Sequence, residues 1–102
     1  MEALKLIKSP DQTLVIDPER FRVSFENQTI TTSLTLTEFR LLSLLVERSG
    51  FVNTRQQIIN DIAPGHKIIE RNVDVHVRSL RKKLGAVGEN LETIHGLGYR
   101  WR

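Results

Sequence analysis

The sequence predicts an α+β domain in which a small antiparallel sheet comes first, three helices follow and a β-hairpin closes the chain. Three stretches carry that prediction. Residues 4 to 34 break into short β-prone runs separated by turn residues. Glu70 to Leu84, ERNVDVHVRSLRKKL, places Val73, Val77, Leu80 and Leu84 at steps of four, three and four. At roughly 100° per residue these fall in a stripe about 60° wide, the pattern of a helix with one buried seam. Leu91 to His95 and Tyr99 to Arg102 are two short runs joined by Gly96-Leu97-Gly98, whose two glycines are able to take positive φ in a hairpin turn.

The elements follow in order. Leu4, Leu6 and Ile7 form the first run, closed by Ser9-Pro10-Asp11, and Leu14-Val15-Ile16 the second, closed by Asp17-Pro18. Phe21, Val23 and Phe25 alternate with Arg20, Arg22, Ser24 and Glu26 as in a half-buried strand. Asn27-Gln28 suits a hairpin turn and Thr29 to Leu34 a return strand. This gives a four-stranded meander with the character of a scaffold. Thr35-Leu36-Thr37-Glu38 then has capping-box spacing and opens a helix to about Arg48, with Phe39, Leu42, Leu45 and Val46 inward. Phe51-Val52 reads as a short extended link. Thr54-Arg55-Gln56-Gln57 repeats the capping pattern before a shorter helix with Ile58, Ile59 and Ile62 inward, stopped by Pro64-Gly65.

The stretch from Glu70 has a rival reading, because Val73-Asp74-Val75-His76-Val77 alternates like a strand. The helical register runs on through Leu84, however, and Arg81-Lys82-Lys83-Leu84 is strongly helix-forming. Gly85 follows as a stop, then a loop from Ala86 to Asn90. The divisions are thus a sheet over 1–34, a helical core over 35–84 and a hairpin over 91–102, in one domain spanning 1–102.

Charge is concentrated. Residues 70 to 84 hold five basic residues against two acids, while the other 87 residues hold ten of each sign, so the net charge of +3 resides on this one helix. A cationic face of that kind suits a polyanionic partner. It also fits an ordinary solvated surface. The chain has no Cys, which excludes disulfides and thiol chemistry and accords with a cytoplasmic location. The longest apolar run, Leu41 to Val46, is about a third of a membrane span, and residues 1 to 8 lack the pattern of a secretory leader. Three scattered His residues and no Cys offer no nucleophile–base pair, so an enzyme is not expected, and neither a metal nor a cofactor is expected.

A short helix, a connection and a cationic helix followed by a hairpin is the order of a helix-turn-helix module with a wing. Four segments closely resemble the OmpR/PhoB family: Thr37-Glu38-Phe39-Arg40-Leu41-Leu42; Arg55-Gln56-Gln57-Ile58-Ile59; Val73 to Arg78 with Leu80 to Leu84; and Gly96-Leu97-Gly98-Tyr99-Arg100. These are the winged-helix DNA-binding effector domains of two-component response regulators in bacteria. The resemblance implies double-stranded DNA as partner, with 70–84 in the major groove and 91–102 as the wing. It also implies binding as a homodimer on tandem sites, a receiver domain in the full-length protein, and no membrane partner. Residues Ala63 to Ile69 correspond to the family's transactivation loop, which makes Pro64, Gly65, His66 and Lys67 candidates for contact with RNA polymerase; a plain connector is the other reading.

This chain departs from the family at four positions. Ala63 stands where a Trp is usual, Asn72 where Thr is frequent, Ser79 where an Arg is common, and His95 where an Arg near the wing tip is usual. Arg reads guanine bidentately and Ser is permissive, so a different or looser base preference is expected. An imidazole is mostly uncharged at neutral pH, which weakens the wing contact expected of His95.

The outward face assigns Asn72, Val75 and Ser79 to base edges, since Asn pairs with adenine and Val meets a thymine methyl. Arg71, Arg78, Lys82 and Lys83 are assigned to phosphates. His76, on the border of the seam, is either a phosphate contact or a packing residue. Asp74 is expected to pair with Arg78 one turn on, and Arg81, near Asp74, to be structural. Tyr99 and Arg100 are assigned to the DNA backbone, with a core role for Tyr99 nearly as well supported, and Trp101 to the core. The competing function is a winged-helix interaction module whose basic face docks an acidic protein.

Overall fold

The computed structural model describes residues 5–30, 34–63 and 70–102, with Glu70 and Arg71 described for their backbone alone. Four strands open the chain: β1 (Ile7–Lys8), β2 (Leu14–Asp17), β3 (Arg22–Phe25) and β4 (Gln28–Thr29). They pair antiparallel in sequence order, as the meander predicts. The register sets Ile16 opposite Val23 and Leu14 opposite Phe25, so Leu14, Ile16 and Val23 bury one common face against the helices.

Two expectations for this sheet are corrected. The β3–β4 turn is Glu26-Asn27 and not Asn27-Gln28. Both residues take positive φ, 50° and 65°, and Gln28 pairs with Phe25. Two left-handed residues in succession match the right-handed twist of the flanking strands. Phe21 is not an inward strand residue either. It takes φ 51°, which turns it out of the ladder. It remains 44% exposed, with its ring stacked on Phe39 at 4.3 Å.

Helix α1 (Leu36–Glu47) is capped by Thr35, whose hydroxyl accepts from the Glu38 N–H at 3.1 Å while Glu38 accepts from the Thr35 N–H at 2.8 Å. Helix α2 (Arg55–Ile62) repeats the device with Thr54 and Gln57. Each reciprocal pair satisfies two of the donors a helix start leaves unbonded. Helix α3 (Glu70–Leu84) runs through the stretch that could have read as a strand. All four predicted seam residues, Val73, Val77, Leu80 and Leu84, are buried, each contributing about 2 kcal/mol through apolar burial. A 3-10 helix (Gly85–Asn90) occupies the expected loop, closed by a bond from the Asn90 side chain to the Val87 carbonyl at 3.0 Å.

The hairpin is β6 (Leu91–Ile94) and β7 (Gly98–Trp101). It gains a third strand, β5 (Asn53–Thr54), which pairs with β7 from the link between α1 and α2. Of the two turn glycines only Gly96 takes positive φ, 79°. Gly98 serves a different need: a Cβ there would lie 2.1 Å from the Asn53 carbonyl oxygen, so β5 reaches β7 only across a residue without a side chain. Tyr99 and Trp101 point from β7 into the core formed by the first sheet and the three helices.

Candidate nucleic-acid interface

With its seam buried, α3 turns one strip fully outward. Val75 is 57% exposed, and Arg78 and Lys82 are exposed beside it. A hydrophobic side chain followed along the strip by two cations, with no acid among the three, presents an apolar contact and two phosphate partners. The basic last turn, Arg81, Lys82 and Lys83, also complements the negative end of the helix dipole.

The flank of α3 facing α1 is anchored by Glu38. The Ser79 hydroxyl donates to Glu38 Oε2 at 2.5 Å, and the Lys83 ammonium pairs with Oε1 at 2.7 Å. Both bonds reach a carboxylate whose side chain is only 3% exposed. Burial alone would raise this carboxyl. The bonds from Lys83, Ser79 and the Thr35 N–H outweigh burial and bring it down to about 2. Glu38 therefore caps α1 and holds α3 with the same two oxygens.

The opposite flank meets α2 and the hairpin. Asp74 Oδ1 accepts from Arg55 Nε at 2.8 Å and from the Tyr99 hydroxyl. The Tyr99 bond is the main reason the Asp74 carboxyl lies below its usual range; burial opposes the shift and Arg55 adds to it. Burial and the Asp74 carboxylate together raise the Tyr99 hydroxyl. The Arg55 and Arg81 guanidiniums lie 5.1 and 5.7 Å from the Tyr99 ring centre. Arg81 also donates to the Leu91 carbonyl at 2.6 Å and to the Thr93 hydroxyl at 2.8 Å, both from Nη2.

These contacts give several of the assigned residues partners within the protein. Ser79 is half-buried with its hydroxyl bonded to Glu38. Lys83 spends charge on the same carboxylate. Tyr99 is buried with its hydroxyl on Asp74, which fits the core role also weighed for it. The ion-pair partner of Asp74 is Arg55 and not Arg78, because Arg55 arrives from the first turn of α2. Arg81 is structural as expected, though its bonds go to β6. Arg100 pairs with Glu92 at 3.1 Å.

The remaining candidates divide. Val75, Arg78, Lys82 and His95 are exposed, while Asn72 and His76 are half-buried along the α1-facing flank. The side chain of Arg71 and residues Pro64, Gly65, His66 and Lys67 lie outside the described residues. Ala63, in the place of the usual Trp, is buried and joins the core. The sequence reading missed the anchoring roles of Glu38, Arg55 and Glu92. Only Glu38 carried a signal, its place in a capping box, and that signal speaks for α1 alone.

Comparison with known proteins decides the family. The family described as "Transcriptional regulatory protein, C terminal" matches residues 28–101. The chain belongs to this family. Its OmpR/PhoB-type relatives include the response regulator ArlR of Staphylococcus saprophyticus, 42% identical over 84% of this chain and 40% of that protein. The phosphate regulon transcriptional regulatory protein PhoB of Pseudomonas aeruginosa is 39% identical over 86% of this chain and 38% of its own length. The chain thus spans about two-fifths of the length of these relatives. Among solved structures, it is similar to the AdeR DNA-binding domain in complex with an intercistronic region. That match has TM-score 0.76 and 36% identity, and covers 87% of this chain and 93% of that one. The Klebsiella pneumoniae RstA DNA-binding domain in complex with its RstA box matches at TM-score 0.76 and 26% identity, over 96% and 97% of the two chains. The fold is that of a winged-helix effector domain of the OmpR/PhoB type. Among the described residues no helix is long and apolar enough to cross a membrane.

Proposed function

We propose that this chain binds double-stranded DNA sequence-specifically as the effector domain of a transcriptional regulator, with α3 in the major groove and the β6–β7 hairpin as wing. The observation that carries this reading is the outward strip of α3, where exposed Val75 stands with Arg78 and Lys82 on a helix fixed along both flanks. Such a strip offers a thymine-methyl contact and two phosphate contacts on a preorganised support. His95 and Leu97 are exposed at the wing tip, where they would meet the DNA beside the groove. The reading implies work in the cytoplasm. It extends to binding as two copies on tandem sites, to control by a receiver domain, and to contact of residues 64–67 with RNA polymerase.

Selection of bound DNA from a random pool, followed by footprinting, tests it. An enriched site with protection on one groove face is expected, and the length of the protected site reads the number of copies. Arg78→Ala should weaken binding on selected and random duplexes alike and lower the salt slope by about 0.9. Sequence-blind binding of every duplex, with saturable binding to an acidic protein, would instead favour a protein-docking module.

A further inference from the structure

We infer that Glu38 is a specificity-determining residue of DNA binding that acts without touching DNA, by withdrawing Ser79 and Lys83 from the recognition surface. The inference rests on the DNA-binding reading above. Ser79 and Lys83 are one turn apart on the same flank of α3, and both end on the two oxygens of one carboxylate. That carboxylate is fixed at the start of α1 by the Thr35 N–H at 2.8 Å, so it has no freedom to follow α3 outward.

Two consequences follow for recognition. The flank of α3 nearest α1 loses one hydroxyl and one positive charge, and reading passes to Val75, Arg78 and Lys82. An arginine introduced at position 79 would meet an anion on the protein before it met a guanine. A charge-assisted bond to a buried carboxylate is strong, so the arginine would be captured. The residue at position 79 therefore does not set base preference alone; the pair of positions 38 and 79 does.

The test uses Glu38→Gln, which preserves the capping geometry because Gln serves at this position, with circular dichroism to confirm folding. The probes are a short random-sequence duplex and the duplex enriched by selection, titrated from about 50 to 200 mM salt. Lys82→Met should lower the salt slope by about 0.9 in both the wild-type and the Glu38→Gln backgrounds. Lys83→Met should leave the slope nearly unchanged in the wild type, where the lysine is held on Glu38. A slope lower by about 0.9 is about a three-fold smaller loss of affinity across the salt range. Ser79→Arg should leave the selected site intact with Glu38 present and shift it toward guanine in Glu38→Gln.

Equal slopes for Lys82→Met and Lys83→Met in the wild type would overturn the inference, as would a guanine shift by Ser79→Arg alone. Should Glu38→Gln fail to fold, these two wild-type-background results still decide it. Wild-type protein that binds neither duplex at low salt would sink the DNA-binding reading itself, a result distinct from these.

Discussion

On one flank of α3 a carboxylate from another helix, Glu38, lies buried and draws in two side chains; on the other, α3 supplies its own carboxylate, Asp74, which is 47% exposed and draws in partners from α2 and the hairpin. Burial separates the two anchors. At Glu38 the bonds are shielded from water and each counts for more. At Asp74 solvent screens the ion pair, and the ring packing of Tyr99 contributes much of the grip. A helix presented to a ligand can thus be fixed by electrostatics where it is dry and by shape where it is wet.

Replacing the dry anchor should have the largest effect. Glu38→Ala removes a cap and leaves Lys83 and Ser79 without their shared acceptor, and is expected to cost about 3 kcal/mol, read by urea unfolding. The same anchor has a pH signature. Its folded carboxyl titrates at about 2, against an ordinary 4.5. The stability it contributes is therefore complete above about pH 4.5 and is lost as the pH falls toward about 2. Wild type and Glu38→Gln should differ in stability at neutral pH and converge in acid. A constant gap across that window would show that the carboxylate charge does not matter.

The wet anchor should yield less. Tyr99→Phe keeps the ring and loses the bond to Asp74, for about 1.5 kcal/mol; a loss as large as that of Glu38→Ala would erase the contrast between the flanks. Arg55→Ala is expected to cost about 0.5 kcal/mol, because exposed pairs are worth little, and high salt should shrink even that difference in thermal melts.

Much of this architecture was legible because its causes are local. The seam of α3, the two capping boxes and the hairpin each depend on residues within a few positions of one another. Phe21 misled because strict alternation says nothing of where a strand begins; the positive φ at that residue starts the strand one position later. Position 98 was marked as glycine for its turn, whereas the structure requires it for the closeness of Asn53. The partners of Ser79 and Tyr99 lie across 41 and 25 positions of sequence, beyond what local pattern shows. A helical wheel shows which way such a residue faces. It does not show what other element has been folded against it.

The short strand β5 has a consequence for the order in which the molecule comes together. The first sheet closes through neighbours in the chain, Ile7 finding Ile16 and Phe25 finding Gln28. The Asn53 side chain reaches the Tyr99 carbonyl across 46 positions, a span that encloses α2 and α3. Closing so long a loop carries a larger entropic penalty, so β7 joins β5 after the helices between them have formed. In hydrogen exchange during refolding, the amides of β2 and β3 should gain protection before that of Asn53, which pairs with Tyr99. The hairpin proposed as the wing would then be seated last, against helices already formed.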